Sequence, residues 1–229
     1  AESSTAATPT LSAGADGFAL TSADRAFQLK FRGYLQADSR FYADDPDDKS
    51  ADTFLIRRAR LIFDAQLGRF FAGRMSPDFG NGKSELQDAY LDFTPDSAFN
   101  LRAGRSKVPF GLERLQPSSD TFLNETALST ALTPNYDVGL QAYGNWGRGW
   151  GEYTVGVFNG CPDGASADSD TQDEKDFTAR LLFNPFKHAG PGALKGLSVG
   201  LAGTLGDREG SATSPQLPVY RTAGQQSYF

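Results

Sequence analysis

FQLKFRGYLQADSR, residues 27–40, alternates apolar and polar side chains along almost its whole length. One face carries Phe27, Leu29, Phe31, Gly33, Leu35 and Ala37, and the other carries Gln28, Lys30, Arg32, Tyr34, Gln36, Asp38 and Arg40. Alternation with a period of two predicts a long β-strand that has one apolar face and one polar face. The fold class predicted from this stretch is therefore all-β.

A second alternating stretch begins near Thr53. Its apolar face carries Leu55, Ala59, Leu61, Phe63 and Ala65, and its polar face carries Arg58, Arg60, Asp64 and Gln66. Arg57 interrupts the apolar side. Because a long arginine side chain can extend from an apolar surface to a polar boundary, we expect Arg57 near the strand's end, at the interface or curled inward at the rim.

Further stretches bring the number of predicted strands to nine: residues 69–79, 85–93, 99–107, 137–146, 151–158, 176–184 and 197–206. Their connections alternate in length. Short links lie near 68–69, 94–98 and 146–149, and long ones at 42–52, 108–136 and 159–175, with exceptions at 80–84 and 185–196. Short turns at one end and long loops at the other are typical of outer-membrane β-barrels.

A soluble β-sandwich is the alternative to a barrel, although its strands are usually shorter and its core face carries fewer arginines. The two architectures differ in where the apolar faces lie, because a sandwich buries them between two packed sheets. For a barrel we expect outward positions for Leu29, Phe31, Leu35, Leu61, Phe63, Leu91, Phe93, Val155, Val157, Leu181 and Phe183.

Composition excludes several other classes. The chain has 229 residues with 25 Gly, 18 Phe and 8 Tyr, which favours a sheet over a helical bundle. It lacks a run of about 18 apolar residues, the length of a membrane-spanning helix. The single Cys161 and single His188 exclude a disulfide framework and leave too few ligands for zinc, so we expect no metal and no cofactor. Residues 1–24 are small, polar and aperiodic, which predicts a flexible N-terminal segment before a barrel at 25–229.

Charge is distributed unevenly along the chain. Residues 44–52 carry a net −4 and residues 163–176 a net −5, whereas the whole chain carries −6, so the remainder carries +3. The predicted polar strand faces are mildly basic, with arginine as the main cation. Arginines that line a narrow passage favour anions because they replace part of the hydration that an anion loses on entry. The alternative is that these charges pair across the lumen and brace it.

The connection 108–136 is longer than the roughly 12–15 residues beyond which a loop is usually functional. Spacing over residues 120–132 predicts a helix, with Leu123, Ala127 and Leu128 on one side and Ser119 or Asp120 as its cap. We expect the segment to fold into the lumen and to narrow it, which brings Arg114 and Lys107 towards the strand arginines. An outer loop packed on the barrel rim is the alternative.

In these stretches the chain resembles the phosphate-selective porins O and P. Six segments spread over residues 25–229 carry the resemblance: FRGYLQADSRFY, FLIRRARLIFDA, LQDAYLDF, LRAGRSKVPFGLE, VGLQAYG and VFNGCPDGASADSDTQDEKDFTARLLFNPF. The resemblance implies an antiparallel, 16-stranded transmembrane β-barrel that forms a homotrimer in the bacterial outer membrane, among membrane lipid and lipopolysaccharide. It also implies a constriction formed by Arg57, Arg58 and Arg114.

Two departures from the family pattern concern which anion passes. Phosphate-selective members carry a ladder of arginines in a later outer loop, whereas residues 213–226 contain only Arg221. A further constriction arginine of the family corresponds to Thr126. The resemblance therefore supports a preference for anions and leaves phosphate specificity open.

The sequence thus predicts a channel for passive diffusion of small anions, with phosphate and polyphosphate as candidates. The predicted binding residues are Arg57, Arg58, Arg60, Lys107 and Arg114. The alternative function is a structural outer-membrane barrel that anchors the envelope or a surface layer and has an incidental pore. An enzyme is not expected, because it would need a nucleophile and a base, and the only histidine, His188, lies in a turn rich in proline and glycine. No nucleic acid is expected as partner. Nine strands leave an open edge, so we expect the natural protein to continue beyond Phe229.

Overall fold

A computed structural model describes residues 8–43, 51–120, 126–162, 166–167, 173–188, 191–207 and 220. Within this part of the chain, eleven antiparallel strands form one sheet whose strand order follows the sequence. The strands are β1 (Thr10–Gly14), β2 (Gly17–Thr21), β3 (Phe27–Arg40), β4 (Thr53–Leu67), β5 (Phe71–Asp78), β6 (Glu85–Asp96), β7 (Phe99–Lys107), β8 (Tyr136–Trp146), β9 (Gly151–Phe158), β10 (Asp176–Phe183) and β11 (Val199–Leu205). The all-β prediction is confirmed, and the nine predicted strands correspond to β3–β11.

The N-terminal segment differs from the prediction. Residues 1–24 are predicted to be flexible, but residues 10–21 form a hairpin in which Gly14 pairs with Gly17 across a two-residue turn. Gly17 has a φ of 97°, which favours glycine, and an Asp-Gly pair at 16–17 is a common hairpin signal. Strand β2 then pairs with β3, Leu20 opposite Leu29. The prediction of flexibility is therefore wrong for the hairpin, and residues 1–7 lie outside the described part.

The chain divides into two compact units, residues 1–89 and 90–229. In the first unit, β1 to β5 pair in sequence order. In β3 and β4 the apolar face is the exposed one, with Leu35 69% and Leu29 46% exposed. The rings of Phe31 and Phe63 pack on each other on this face, with centroids 5.1 Å apart. The opposite face carries the charged residues.

The second unit repeats this arrangement in β7 to β11. Val155, Val157 and Leu181 are exposed. Buried apolar residues are few in the described chain, and one cluster consists of Val108, Phe158 and Cys161. Across both units, nine of the eleven side chains predicted to point outward are exposed, and Phe63 and Phe183 are partly buried. Exposed apolar faces are incompatible with the sandwich, which would bury them.

The long connection between β7 and β8 contains two short helical turns. One is α1 (Leu112–Leu115), and the other is a 3-10 turn at Leu128–Leu132. Of the helix predicted over 120–132, only the 3-10 turn at its end forms in the described residues, and residues 121–125 lie outside them. No helix in the described part of the chain has the length and apolar character needed to cross a bilayer.

Candidate functional site

Strand β4 contains a β-bulge at the arginine pair. Gln36 of β3 stands opposite Arg58, whereas the next residue, Ala37, stands opposite Ile56. Arg57 is therefore the extra residue in the ladder. A bulge re-aims side chains locally, because the extra residue does not follow the strict alternation of the strand. It also shifts the parity of the preceding residues, so that Ile56 joins the apolar face.

The bulge corrects the predicted face of Leu55. Alternation without a bulge places Leu55 on the apolar face with Ala59, but the observed register pairs it with Asp38 on the polar face. The apolar positions before the bulge are instead Ile56 and Phe54, which are 45% and 81% exposed. A one-residue shift in register moves every preceding side chain to the other face.

The polar face of the first unit holds Arg58 and Arg60, as predicted. Arg58 donates a short hydrogen bond from Nη1 to the side-chain carbonyl of Gln36. Arg60 forms an ion pair with Asp78, to which its Nε donates at 3.0 Å and its Nη2 at 2.8 Å. It also lies 5.7 Å from the ring centroid of Tyr34. The two neighbouring arginines thus have acceptors of different charge.

Asp78 and Gly80 lie against the bulge, and the sequence did not identify either residue as part of the site. Asp78 Oδ1 accepts hydrogen bonds from the backbone N–H groups of Ala59 and Gly80, each at 3.0 Å. A Cβ added at Gly80 would lie 2.5 Å from the carbonyl oxygen of Arg57 and 2.8 Å from Cα of Arg58. Only glycine fits this approach without a backbone shift.

Other strand arginines are tied to carboxylates on the same face. Asp64 accepts hydrogen bonds from Arg74 Nε at 2.6 Å and from Arg32 Nε at 3.3 Å. In the second unit, Arg102 donates Nε and Nη2 to the two oxygens of Asp92, at 2.8 and 2.9 Å. These ion pairs join neighbouring strands along the sheet, whereas the alternative stated from the sequence is pairing across the lumen.

Arg102 is also enclosed by aromatic rings. Its guanidinium carbon lies 3.8 Å from the ring centroid of Tyr90 and 5.4 Å from that of Tyr143. A cation over an aromatic ring is stabilised by the ring quadrupole. Two hydrogen bonds to Asp92 and the stacked rings together fix this side chain in one orientation, which suits a structural role.

Lys107, one of the two predicted residues of the second unit, interacts with Gln116 and Tyr136. Lys107 Nζ donates to the Gln116 carbonyl at 2.7 Å and lies 5.9 Å from the Tyr136 ring centroid. Lys107 pairs with Tyr136 in the β7–β8 ladder, so alternation places it on the side of β7 opposite to Arg102.

Arg114 of α1 joins the two ends of the long connection. It donates Nη2 to the Thr130 carbonyl in a short hydrogen bond and Nε to the Thr133 hydroxyl at 3.3 Å. Burial lowers the pKa of the Arg114 guanidinium, but arginine titrates so far above neutral pH that it stays protonated. The cation is thus held by neutral oxygen atoms of the threonines.

Antiparallel strands with one exposed apolar face and one charged face are the pattern of a porin-type channel protein. A family model described as phosphate-selective porin O and P matches residues 27–219, which is most of the chain. The chain therefore belongs to the phosphate-selective porin O and P family, whose members are bacterial outer-membrane porins. It is a channel protein and not an enzyme. A comparison with curated proteins gives no match.

Proposed function

We propose that the protein is a transmembrane barrel for passive diffusion of small oxyanions such as phosphate, with Arg57, Arg58 and Arg114 as the selective residues. The observation that carries this proposal is the β-bulge, which sets two consecutive arginines opposite the single residue Gln36. A bulge that aims Arg57 to the side of Arg58 doubles the positive charge at one level of the wall.

The chemistry of guanidinium groups supports an oxyanion as the substrate. Each guanidinium presents several N–H donors in a plane, which can grip two oxygens of one oxyanion. Gln36, one acceptor of Arg58, is an uncharged amide. An entering anion can therefore replace part of its hydration with these donors.

Arg60 and Lys107 have a smaller part in this proposal. The charge of Arg60 is offset by Asp78, so Arg60 adds little net positive charge to the polar face of β4. Lys107 lies on the side of β7 opposite to Arg102, and so it is not on the face that carries the ion pair of Arg102 and Asp92. Carboxylates beside the arginines keep the anion weakly bound, and weak binding lets it leave.

For Arg114, the proposal requires that the connection 108–136 folds into the lumen. Within that connection, α1 and the 3-10 turn are cross-linked, by Arg114 to Thr130 and Thr133 and by the Ala127 N–H, which donates to Glu113 at 2.9 Å. A segment braced in this way can hold a cation at a fixed position. We also propose a homotrimer, with membrane lipid and lipopolysaccharide around the barrel.

Single-channel recording in planar lipid bilayers tests the proposal. We expect a reversal potential of the sign for anion selectivity under a potassium chloride gradient, and a chloride current that added phosphate blocks. Neutralising Arg57, Arg58 and Arg114 together to glutamine should reduce both effects. An absence of open channels would favour the structural barrel with an incidental pore, and unchanged reversal potentials in the triple variant would restrict the arginines to bracing.

A further inference from the structure

The surroundings of the bulge suggest a role for two residues that carry no positive charge. We infer that Asp78 and Gly80 are positioning residues for the guanidinium pair of Arg57 and Arg58, and that anion selectivity depends on them. The inference rests on the proposed function, because it takes the pair as the selective element.

A bulge stays at one place in a ladder only if contacts with neighbouring residues, here called anchors, fix it there. The extra residue can move along the strand when neighbouring backbone pairs exchange partners, and each step of one residue moves a side chain to the other face. A step away from Arg57 would therefore send one of the two arginines to the apolar face. Contacts that fix the bulge at Arg57 also fix the direction of both guanidinium groups.

Gly80 supplies one anchor by its lack of a side chain. A Cβ there would lie 2.5 Å from the Arg57 carbonyl oxygen and 2.8 Å from the Arg57 carbonyl carbon and from Arg58 Cα. Gly80 does not have a positive φ, so the constraint is space and not its backbone angle. The turn at Gly80–Gly82 thus packs directly on the backbone of the bulge.

Asp78 supplies a second anchor by hydrogen bonding. Its Oδ1 joins the Ala59 N–H, one residue after the arginine pair, to the Gly80 N–H. The Phe79 N–H donates to the Ala59 carbonyl at 3.0 Å, which ties the same two segments again. Asp78 Oδ2 accepts a hydrogen bond from Arg60, the next residue on the polar face of β4. The carboxylate therefore fixes the strand beside the bulge.

The first test compares Gly80→Ala with Gly14→Ala. Gly14 lies in β1 with nothing within 4 Å of an added Cβ and without a positive φ, which makes it a matched control. Reversal potentials under a potassium chloride gradient give the anion-over-cation permeability ratio. We expect Gly80→Ala to lower this ratio towards that of Arg57→Gln/Arg58→Gln, and Gly14→Ala to keep the wild-type ratio.

A double-mutant cycle separates positioning from a general change of the pore. Gly80→Ala is added to the Arg57→Gln/Arg58→Gln channel, where it should have no further effect on the ratio, because the groups that it positions are absent. An equal shift in both backgrounds would overturn the inference. So would a wild-type ratio for Gly80→Ala when Arg57→Gln/Arg58→Gln lowers it.

A second pair of variants decides the question if Gly80→Ala gives no inserted channels. Asp78→Asn and Asp78→Leu are compared in the Arg60→Gln background, where both have the same net charge. Asparagine keeps an acceptor for the two N–H groups and leucine does not. We expect a lower anion-over-cation ratio for the leucine variant, and equal ratios overturn the inference. If Arg57→Gln/Arg58→Gln itself leaves the ratio unchanged, the proposed function fails, and this inference fails with it.

Discussion

Replacing Arg102 by glutamine should destabilise the folded protein without closing the channel. Arg102 gives two charge-assisted hydrogen bonds to Asp92, whose side chain is only 10% exposed. Removing one partner of a buried ion pair leaves a desolvated charge, which typically costs about 3–5 kcal/mol. Arg102→Gln should lower the free energy of unfolding by that amount.

A charge-neutral variant separates this cost from the loss of hydrogen bonds. In Arg102→Gln/Asp92→Asn, two bonds to charged groups, about 1.5–3 kcal/mol each, become neutral bonds of about 0.5–1.5 kcal/mol each. The double variant should therefore lose about 2–3 kcal/mol, less than the single variant. Its reversal potential should equal that of the wild type, because the pair has no net charge.

Equilibrium unfolding by guanidinium chloride in detergent micelles measures these free energies, and the same preparations inserted in bilayers give the reversal potentials. If the free energy of unfolding of Arg102→Gln lies within about 1 kcal/mol of the wild-type value, the bracing role is refuted, because exposed ion pairs contribute about that much. A changed reversal potential in the charge-neutral variant would assign Arg102 to the anion path instead.

Three further outcomes follow from the structure. Asp78→Asn should raise the anion-over-cation ratio, because Arg60 loses its charged partner while the asparagine amide oxygen still accepts the backbone hydrogen bonds; a reversal potential equal to the wild type's would contradict the ion pair. Arg114→Ala should speed cleavage of the connection 108–136 by a nonspecific protease, since its tie to Thr130 is lost, and an unchanged rate relative to Lys195→Ala would count against that tie. Gly17→Ala should accelerate amide hydrogen exchange in residues 10–21, because φ at Gly17 is 97°; retained protection, as expected for Gly14→Ala, would show that the turn tolerates a side chain.

Most of the strands can be predicted from sequence because alternation is a local property. In β10, Phe177 and Leu181 alternate with Thr178 and Arg180, and the strand bounds follow from that pattern alone. The hairpin at 10–21 is harder to predict, since its strands are short and have few large apolar residues. Its one clear local signal is the Asp-Gly pair at its turn.

The site is only partly predictable from the sequence, because the partner of each charged side chain depends on how neighbouring strands align. Alternation places Arg58 and Arg60 on the polar face, but the pairing of Arg60 with Asp78 depends on how β4 and β5 align, which neither strand specifies by itself. The bulge leaves a signal, because Arg57 interrupts the alternation. An arginine near a strand end explains the same interruption, so the sequence alone does not distinguish the two.

The most direct measurement is the reversal potential of Arg57→Gln/Arg58→Gln under a potassium chloride gradient. Its control is Arg32→Gln/Arg74→Gln, which removes the same two charges from arginines that both pair with Asp64. We expect the wild type to be anion-selective, the bulge variant to lose most of that selectivity, and the control to retain more of it. Equal reversal potentials in the bulge variant and the wild type would contradict the account.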